Sequence, residues 1–514
     1  MKQNDISYRI EKTRRGLDTI IIESGGRDIP LHSKIDPERE AESFRDRFDP
    51  ARYDVLIVLG AGLGYHLIPL KERINEYSVV ILIDILTGIE AAIDRNPLTS
   101  FLLTSPRFLF VRGKSPEDVD RILSDIIDMD NIRGISVLEH PASVRIFDDY
   151  YGVIKKSIDK MITIKAGNKA TRQAFGARYV RNILVNFGML DNARPVCDLF
   201  GAFKRYPAVI AGSGPSLEIN IEMLRRYQDR IFIIAVDSAI PVLQQKGVLP
   251  DIIISIDPQP YVYEHFLNYK PGNAIHVLSI TSHPSILKQL NGFISLNSHP
   301  FSQLASEACG GSIGSVDSST GTVAGDAVNL CARCGFSIIG VTGIDFSFSD
   351  FTIYARGTAY QKRYAVHFQD RLSTVEGYNM RYIMKSSGGL KYEGKYTRKS
   401  FLHYRQALED FFGKNAIPEI YALNDRGIPI PGVRVQDMDE FVAKNCPAVI
   451  EKKRIIGGIQ AISRVIDAGP IMGALKQISD DKLFDELLEA SLGRPIERRD
   501  TLHYRDIIAM NRKK

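Results

Sequence analysis

The sequence lacks the features that would direct the protein to a membrane, to the cell exterior or to nucleic acid. No apolar run approaches the roughly 18 residues that a membrane span needs. The opening residues, MKQNDISYRIEKTRRG, contain no apolar core of the signal-peptide kind. The formal net charge of +5 is small for 514 residues and does not suggest a nucleic-acid-binding protein, although it leaves room for an anionic substrate. We therefore expect a cytoplasmic protein without nucleic-acid or membrane partners.

Cysteines and candidate metal ligands are also sparse. The five cysteines are scattered and odd in number, which suits a reducing compartment rather than a disulfide framework. Cys331 and Cys334 form a CxxC inside the apolar helical stretch AVNLCARCGF, so we expect small core residues there. Two Asp-x-Asp sequences, at 128–130 and 437–439, lie in polar stretches outside the α/β pattern. We interpret them as surface acids, which fits a protein that needs no metal.

What the sequence does contain is an alternation of apolar strands and helices, and this alternation occurs twice. Such a pattern predicts doubly wound parallel sheets. The predicted fold class is therefore α/β, with two Rossmann-like parallel-sheet domains in tandem and a helical C-terminal region. The predicted boundaries are a β-rich lead-in at 1–50, a Rossmann-like domain at 51–145, a helical connector at 146–200, a central α/β domain at 201–434 and a helical region at 435–514.

A first glycine turn follows the strand that begins near Tyr53. Gly60-Ala61-Gly62-Leu63-Gly64 precedes a helix, and Asp84 ends the next strand. This is the layout of a dinucleotide site, in which the acid binds a ribose hydroxyl. The spacing is G-x-G-x-G rather than G-x-G-x-x-G, so a purely structural turn is at least as consistent with it. The sequence leaves open whether the turn binds a ligand.

A second glycine turn, within VIAGSGPSLE, has more support around it. Gly212 and Gly214 permit close approach of the backbone to a ligand, and Pro215 suits the first turn of a helix. Ser216 and the freed amides can then face an anion, which the helix dipole also favours. The turn predicts a phosphate-binding site.

Polar residues at other strand ends are expected at the same edge of the sheet. They are Asp237-Ser238, Asp257-Pro258-Gln259 and Asp345. Carboxyl ends of parallel strands meet at one edge, where such sheets bind ligands, so the pattern favours a nucleotide site. The segment GGSIGSVDSSTGTVAGDAVNL adds Thr320, Gly321 and Thr322 before a helix. Thr320 and Thr322 either cap the helix or, together with the helix-end amides, bind a phosphate or carboxylate through their hydroxyls.

The stretches VIAGSGPSLEINIEMLRRY, AVDSAIPVLQQKGVLPDIIISIDPQP and GTVAGDAVNLCARCGFSIIGVTGIDFSF together carry a resemblance over about 207–431. They resemble the motility accessory factor (Maf) family of flagellin glycosyltransferases, whose central domain is also called 6-hydroxymethylpterin pyrophosphokinase-like. The same stretches are similar to the bacterial sialyltransferases that modify lipooligosaccharide. The resemblance identifies the central domain as catalytic.

The resemblance implies a CMP-activated sugar as donor substrate, with no further cofactor and no metal. It also implies which residues bind that donor. Ser319–Thr322 match the corresponding Thr-Ser-Gly element only loosely. The residues assigned to nucleotide and donor binding are Gly212, Ser213, Gly214, Pro215, Ser216, Asp237, Ser238, Asp257, Pro258, Gln259, Thr320, Gly321, Thr322, Gly343 and Tyr354.

One element of the sialyltransferase pattern is missing. The resemblance places a catalytic histidine just before the helix at about 401–412, but Lys395-Tyr396-Thr397 occupy that place here. His367 and His403 lie on either side of it. The general base is therefore open, with His367 and an acid such as Asp345 as the candidates.

The leading hypothesis is an inverting glycosyltransferase that moves a nonulosonic acid, of the pseudaminic or legionaminic type, from CMP to Ser or Thr of flagellin. An alternative is an ATP- and Mg²⁺-dependent pterin pyrophosphokinase-like enzyme using the same turn and aspartates. A third is a non-catalytic flagellin-binding assembly factor with a degenerate nucleotide site. The sequence does not decide the oligomeric state.

Overall fold

The computed structural model describes residues 6–24, 26–127, 132–290, 292–316, 320–365, 374–415 and 417–511. The chain divides into two compact units, residues 1–171 and 172–514. Within the described ranges, no helix is both long enough and apolar enough to cross a membrane.

The first unit contains a small meander and a parallel sheet. In the meander, neighbouring strands are antiparallel, and in the sheet the order β6-β5-β4-β7 is entirely parallel. Every side chain of VLIVL in β4 is buried, as expected for the inner strand of a sheet covered on both faces. The strands are β1 (Tyr8–Lys12), β2 (Asp18–Ser24), β3 (Arg27–Pro30), β4 (Val55–Leu59), β5 (Val79–Asp84), β6 (Phe108–Arg112) and β7 (Ile135–Glu139).

The second unit contains a nine-stranded sheet in its described part, ordered β18-β17-β14-β9-β10-β11-β12-β13-β8 and parallel throughout. A short antiparallel hairpin, β15-β16, lies outside it. The strands are β8 (Arg194–Pro195), β9 (Pro207–Ala211), β10 (Phe232–Val236), β11 (Ile252–Ser255), β12 (Ile275–Ser279), β13 (Phe293–Ser295), β14 (Ile338–Thr342), β15 (Lys391–Tyr392), β16 (Lys395–Tyr396), β17 (Glu419–Ala422) and β18 (Arg434–Val435).

Helices alternate with these strands and then follow them. Those that begin in the first unit are α1 (Pro37–Glu42), α2 (Glu90–Asp94), α3 (Phe101–Thr104), α4 (Pro116–Ile126), α5 (Pro141–Ile146) and α6 (Asp148–Phe187). Those of the second unit are α7 (Leu217–Tyr227), α8 (Ile240–Gln245), α9 (Pro284–Leu290), α10 (Pro300–Ala308), α11 (Val323–Cys334), α12 (Ala359–Ala365), α13 (Val375–Ser387), α14 (Lys399–Lys414), α15 (Met438–Asn445), α16 (Lys452–Ile462), α17 (Gly469–Ile478), α18 (Lys482–Leu492) and α19 (Arg498–Asn511).

Each parallel sheet has a point where the strand order reverses. In the first unit the chain runs from β4 to β5 and β6, and then returns to place β7 on the other side of β4. In the second unit it runs from β9 out to β13, and then places β14 on the other side of β9. Ligands of such sheets bind in the crevice at this reversal, beyond the carboxyl ends of the strands. The two predicted glycine turns follow β4 and β9, so each lies at such a crevice.

The predicted α/β class with two tandem parallel sheets is confirmed. The structure also shows details that the five-segment division did not anticipate. The connector at 146–200 contributes the two-residue strand β8 to the large sheet, and β18 lies across the predicted boundary at 434/435. Helices α16 to α19 contribute Ile456, Ile471, Phe484 and Ile508 to the core that also holds β9. Strands of two residues carry no periodic signal, which explains why the sequence did not reveal them.

The structure also shows where the CxxC cysteines and one of the Asp-x-Asp sequences lie. Cys331 and Cys334 are fully buried within α11, so they are core residues as expected. Asp437 is exposed and caps α15 by accepting a hydrogen bond from the Glu440 amide. Asp128 and Asp130 lie outside the described residues.

Candidate nucleotide-binding site

The turn after β9 is fastened to the segment that follows β14. The Gly212 amide donates to the Thr342 carbonyl at 2.8 Å, and the Gly214 amide donates to the Gly343 carbonyl at 2.8 Å. In return, the Gly343 amide donates to the Ser216 hydroxyl at 3.0 Å. The turn and the Gly343 segment therefore form one hydrogen-bonded unit at the strand-order reversal.

These contacts explain why glycine is needed here, and the explanation differs from the close approach to a ligand that the sequence predicted. A Cβ on Gly212 or on Gly214 would come closer than 3.0 Å to the Gly343 carbonyl oxygen, and one on Gly214 would also meet the Asp345 carboxylate. Gly343 itself has a φ of +70°, and a Cβ there would meet the Gly212 backbone. These glycines are required by contact between two protein segments. That they also lie close to a bound CMP-activated sugar stays a prediction.

Asp345 and Ser216 are buried and bonded to each other, which joins the turn to the segment after β14. Asp345 is 5% exposed, and its Oδ2 accepts a hydrogen bond from the Ser216 amide at 3.1 Å. Burial raises the pKa of Asp345 to about 6, although the Ser216 hydrogen bonds and Lys395 oppose the rise. Ser216 is 3% exposed, and both its amide and its hydroxyl have protein partners. In this structure Ser216 links the turn to β14, whereas the sequence predicted that it would face an anion.

The side of the turn that contacts the end of β10 carries two hydroxyls and one amide. The Ser238 hydroxyl donates to the Ser213 hydroxyl at 2.8 Å, which joins the turn to the end of β10. The Ser213 amide donates to no acceptor in the part of the chain that the structure describes. The Ser213 hydroxyl and this amide are therefore the two donors that could bind an anion here.

Asp237 is held by the next residue in the chain and by the end of β11. Its Oδ1 accepts from the Ser238 amide at 2.7 Å, and its Oδ2 accepts from the Ser255 hydroxyl at 2.6 Å. Asp237 is only 4% exposed. Because each carboxylate oxygen can accept more than one hydrogen bond, these contacts still leave acceptor capacity for a ribose hydroxyl.

Asp257 differs from the other two strand-end acids because it is half-buried. Its Oδ1 accepts from the Gln259 amide at 2.8 Å. Burial raises the pKa of Asp257, and the negative charge of Asp237 raises it further. The Gln259 amide, His265 and Arg178 oppose the rise. A carboxyl group in this environment can exchange a proton closer to neutral pH than an ordinary aspartate can.

Two stacked tyrosines approach the same edge. The rings of Tyr354 and Tyr360 are 4.3 Å apart and nearly parallel. The segment is fastened to the turn because the Ala355 amide donates to the Ser213 carbonyl at 2.9 Å. Burial raises the pKa of Tyr360, and the charges of Asp237 and Asp257 add to the rise. Tyr354 was assigned to the site from the sequence, whereas Tyr360 was not.

The Thr320–Thr322 segment caps α11. The Thr322 hydroxyl accepts from the Gly325 amide at 3.1 Å, as a helix-capping residue does. Thr320 is 2% exposed, and Gly325 must be glycine because a Cβ there would overlap the Thr320 side chain. The expectation of a cap is confirmed, and binding of a phosphate or carboxylate here stays a prediction. Ser319 and His367 lie outside the described residues.

Helix α6 brings further residues that the sequence did not single out. The Asn182 side chain donates to the carbonyls of Pro258 and Thr281, both at 3.0 Å, and so holds the loop after β11 in place. Arg178 and Tyr179 lie near enough to Asp257 for their charges to affect one another. The predicted helical connector therefore supplies part of the site. A helical pattern carries no sign of which distant loop its polar residues will contact, so no sequence signal was available.

The crevice at the first glycine turn is occupied by the protein itself. Cβ atoms on Gly60, Gly62 and Gly64 would come closer than 3.0 Å to Ser143, His32 and Leu102 respectively. The Gly62 amide donates to Asp84 at 2.8 Å, and the Leu63 amide donates to His32 Nε2 at 2.9 Å. Asp84 is 1% exposed. The acid that would bind a ribose in a dinucleotide site here binds the turn.

Three buried histidines complete this closed crevice. His32, His66 and His140 are each at most 2% exposed, and the ring of His140 lies 4.9 Å from His32 and 4.8 Å from His66. Burial lowers the pKa of His32 and His66 well below the usual value, and it lowers the pKa of His140 to about 4. They are therefore neutral at pH 7. No group of three or more His, Cys, Asp or Glu among the described residues is arranged to hold a metal ion.

Comparison with known proteins supports the sequence resemblance. Residues 181–351 match the family model "6-hydroxymethylpterin diphosphokinase MptE-like". The solved structure of the Maf glycosyltransferase from Magnetospirillum magneticum AMB-1 has a TM-score of 0.60 and 15% sequence identity to this chain, and the alignment covers 98% of this chain and 86% of that one. The suspected relationship to these proteins is thus confirmed, and the structural likeness shows a shared fold.

Two proteins of Treponema pallidum (strain Nichols), each named "Uncharacterized protein", are also similar. One is 24% identical over 298 residues, which are 55% of this chain and 50% of that protein. The other is 40% identical over 89 residues, which are 17% of this chain and 41% of that protein. The matched segments thus span half or less of the length of these relatives.

Proposed function

We propose that the protein is a glycosyltransferase that moves a nonulosonic acid from a CMP-activated donor to serine or threonine of flagellin. The observation that carries the proposal is the arrangement at the β9/β14 reversal. There the Ser213 amide and the Ser213 and Ser238 hydroxyls stand beside Asp237 and Asp257. The likeness of the whole chain to a Maf glycosyltransferase fold supports the same class of reaction.

In this proposal the turn binds the phosphate of CMP through Ser213. The Ser213 amide and hydroxyl donate to its oxygens, aided by the dipole of α7, while the Ser238 hydroxyl orients the Ser213 hydroxyl. The Tyr354 and Tyr360 hydroxyls lie at the same edge and stabilise the charge that grows on the phosphate as the sugar leaves. Asp237 accepts from the ribose, as the acid at the corresponding strand end does in dinucleotide sites.

Nucleotide binding tests the proposal directly. CMP should stabilise the full chain against heat in the presence of EDTA, and at about 100 times its dissociation constant the gain is roughly 2.7 kcal/mol. Intact-mass analysis of flagellin, from cells with and without the gene, then tests transfer. Flagellin of unchanged mass together with an absence of CMP binding would contradict the proposal.

A second candidate is a pterin diphosphokinase, favoured by the description of the family model that matches residues 181–351. In that case the same turn would bind ATP, and Asp237 and Asp257 would help to place Mg²⁺. Thermal stabilisation by ATP that depends on Mg²⁺, without stabilisation by CMP, would favour this candidate over the transferase.

A further inference from the structure

Three acidic side chains follow strands β10, β11 and β14 of the large sheet, but they differ in what their carboxylates contact. Asp345 accepts from the Ser216 amide beneath the turn and is 5% exposed. Asp237 uses both oxygens within the protein and is 4% exposed. Asp257 is half-buried, and among the described residues one hydrogen bond reaches its carboxylate, from the Gln259 amide to Oδ1. Of the three, Asp257 offers a carboxylate to the crevice.

We propose that Asp257, rather than Asp345, is the general base that accepts the proton of the acceptor hydroxyl. This inference rests on the proposed glycosyltransferase function. The Asp257 carboxylate takes the hydroxyl proton while the acceptor oxygen forms a bond to the anomeric carbon. The bond from that carbon to the phosphate oxygen breaks, and its electron pair leaves with CMP.

The surroundings of Asp257 suit this role. The titratable and charged groups that interact with it come from four elements: Asp237 after β10, Arg178 and Tyr179 on α6, His265 in the 3-10 helix Pro260–Phe266, and Tyr360 on α12. Burial and the like charge of Asp237 make the anion more basic, so it accepts a proton more readily near neutral pH.

His265 strengthens the argument from another side. It is 5% exposed, its ring lies 5.4 Å from that of Tyr360, and its Nδ1 has no hydrogen-bond partner among the described residues. A buried polar atom without a protein partner calls for an explanation, and a catalytic role is one. His265 and Tyr360 both lie near enough to Asp257 for electrostatic interaction with it.

The test compares Asp257→Asn, Asp257→Glu and Asp345→Asn with the wild type in the full chain. In Asp257→Asn the carbonyl oxygen of the new amide side chain can still accept from the Gln259 amide, so the fold should be kept. The probes are CMP, whose binding is measured by calorimetry, and CMP-N-acetylneuraminic acid with flagellin, from which CMP release is measured between pH 5 and 9. Asp229→Asn, an exposed acid before β10 at the opposite end of the strands, is the matched control.

We expect Asp257→Asn to bind CMP within about threefold of wild type but to release CMP 10²- to 10⁴-fold more slowly, as loss of a general base requires. The acidic limb of the wild-type pH profile should disappear, Asp257→Glu should recover part of the rate, and Asp229→Asn should behave as wild type. A normal rate in Asp257→Asn, or a rate lost only in proportion to CMP affinity, would overturn the assignment. Loss of the rate and the acidic limb in Asp345→Asn alone would do so too. A wild type that neither binds CMP nor releases it from the donor would instead refute the proposed function.

Discussion

The two units place a glycine turn at the same point of the same topology, yet different parts of the protein pack against the two turns. In the first unit His32, Ser143 and Leu102 occupy the space beside the glycines. In the second unit the glycines pack against the segment after β14. The Ser213 amide there has no acceptor among the described residues, and the Ser238 hydroxyl donates to Ser213. The difference lies in what the rest of the chain brings to each turn.

The strand-end acids differ in whether they bind the glycine turn itself. Asp84 ends β5 beside the first turn and accepts from the Gly62 and Leu86 amides, so its carboxylate is used within that crevice. Asp237 follows β10 beside the second turn but accepts from Ser238 and Ser255 instead. A strand-turn-helix pattern with a following acid therefore identifies a crevice but not whether the crevice is free to bind a ligand.

The largest effect should come from filling the closed crevice further. Gly64→Ala combines a φ of +81° with overlap on Leu102, and we expect it to lower the free energy of unfolding of the first unit by about 2–4 kcal/mol. Gly16→Ala is the matched control, because Gly16 has a φ of +79° but nothing within 4 Å of its Cβ position. It should cost only about 1 kcal/mol. Hydrogen exchange by mass spectrometry measures both, and equal costs would show that packing at Gly64 is unimportant.

Acid should open the closed crevice through its histidines. The pKa of His140 is about 4 in the folded protein and about 6.5 when unfolded, so its contribution to stability is present above pH 6.5 and is lost as pH falls toward 4. Between pH 7 and 5 this loss is about 2 kcal/mol for His140 alone. Asp84, whose pKa is raised by burial, partly offsets it. His140→Gln should reduce the acid sensitivity of the first unit in hydrogen exchange, and an unchanged pH dependence would contradict the interpretation.

Removing one hydroxyl from each crevice tests which of them binds CMP. Ser238→Ala removes the hydrogen bond that orients the Ser213 hydroxyl and should weaken CMP binding about tenfold, or about 1.4 kcal/mol, because the bond from Ser213 to a charged group is then poorly aligned. Ser143→Ala removes the hydroxyl that contacts His140 in the closed crevice and should leave CMP binding unchanged. Calorimetry on both variants decides, and the reverse result would move the binding site to the first unit.

A smaller effect of acid on stability, of opposite sign, is expected from Asp345 at the second turn. The pKa of Asp345 is raised to about 6, so its burial opposes folding at pH 7 and this cost is relieved as pH falls through 6. The contribution amounts to about 1 kcal/mol between pH 7 and 5. Asp345→Asn keeps an acceptor for the Ser216 amide but does not titrate. The difference in unfolding free energy between wild type and this variant should therefore shift with pH in favour of the wild type at pH 5, and a constant difference would argue against a protonatable Asp345.

Much of the fold could be predicted because it follows from local patterns. Runs such as VLIVL and PAVIA are buried strands whichever sheet they join, and glycine turns between strand and helix are visible in the sequence. The convergence of Asp237, Asp257 and Asp345 on one edge follows from parallel strands alone. The capping role of Thr322 was likewise one of two roles that its position allowed.

The sequence by itself thus determined two parallel sheets, the strand ends that meet at their edges and the residues that form each turn. Only the tertiary structure decided that His32 and Ser143 fill the first crevice, that Asp345 and Ser216 lie beneath the second turn, and that α6 brings Arg178 and Tyr179 toward Asp257. These contacts join residues that are far apart in the chain. Local preferences act over a few residues, whereas the exposure of a carboxylate or the space beside a glycine depends on which distant side chains pack there.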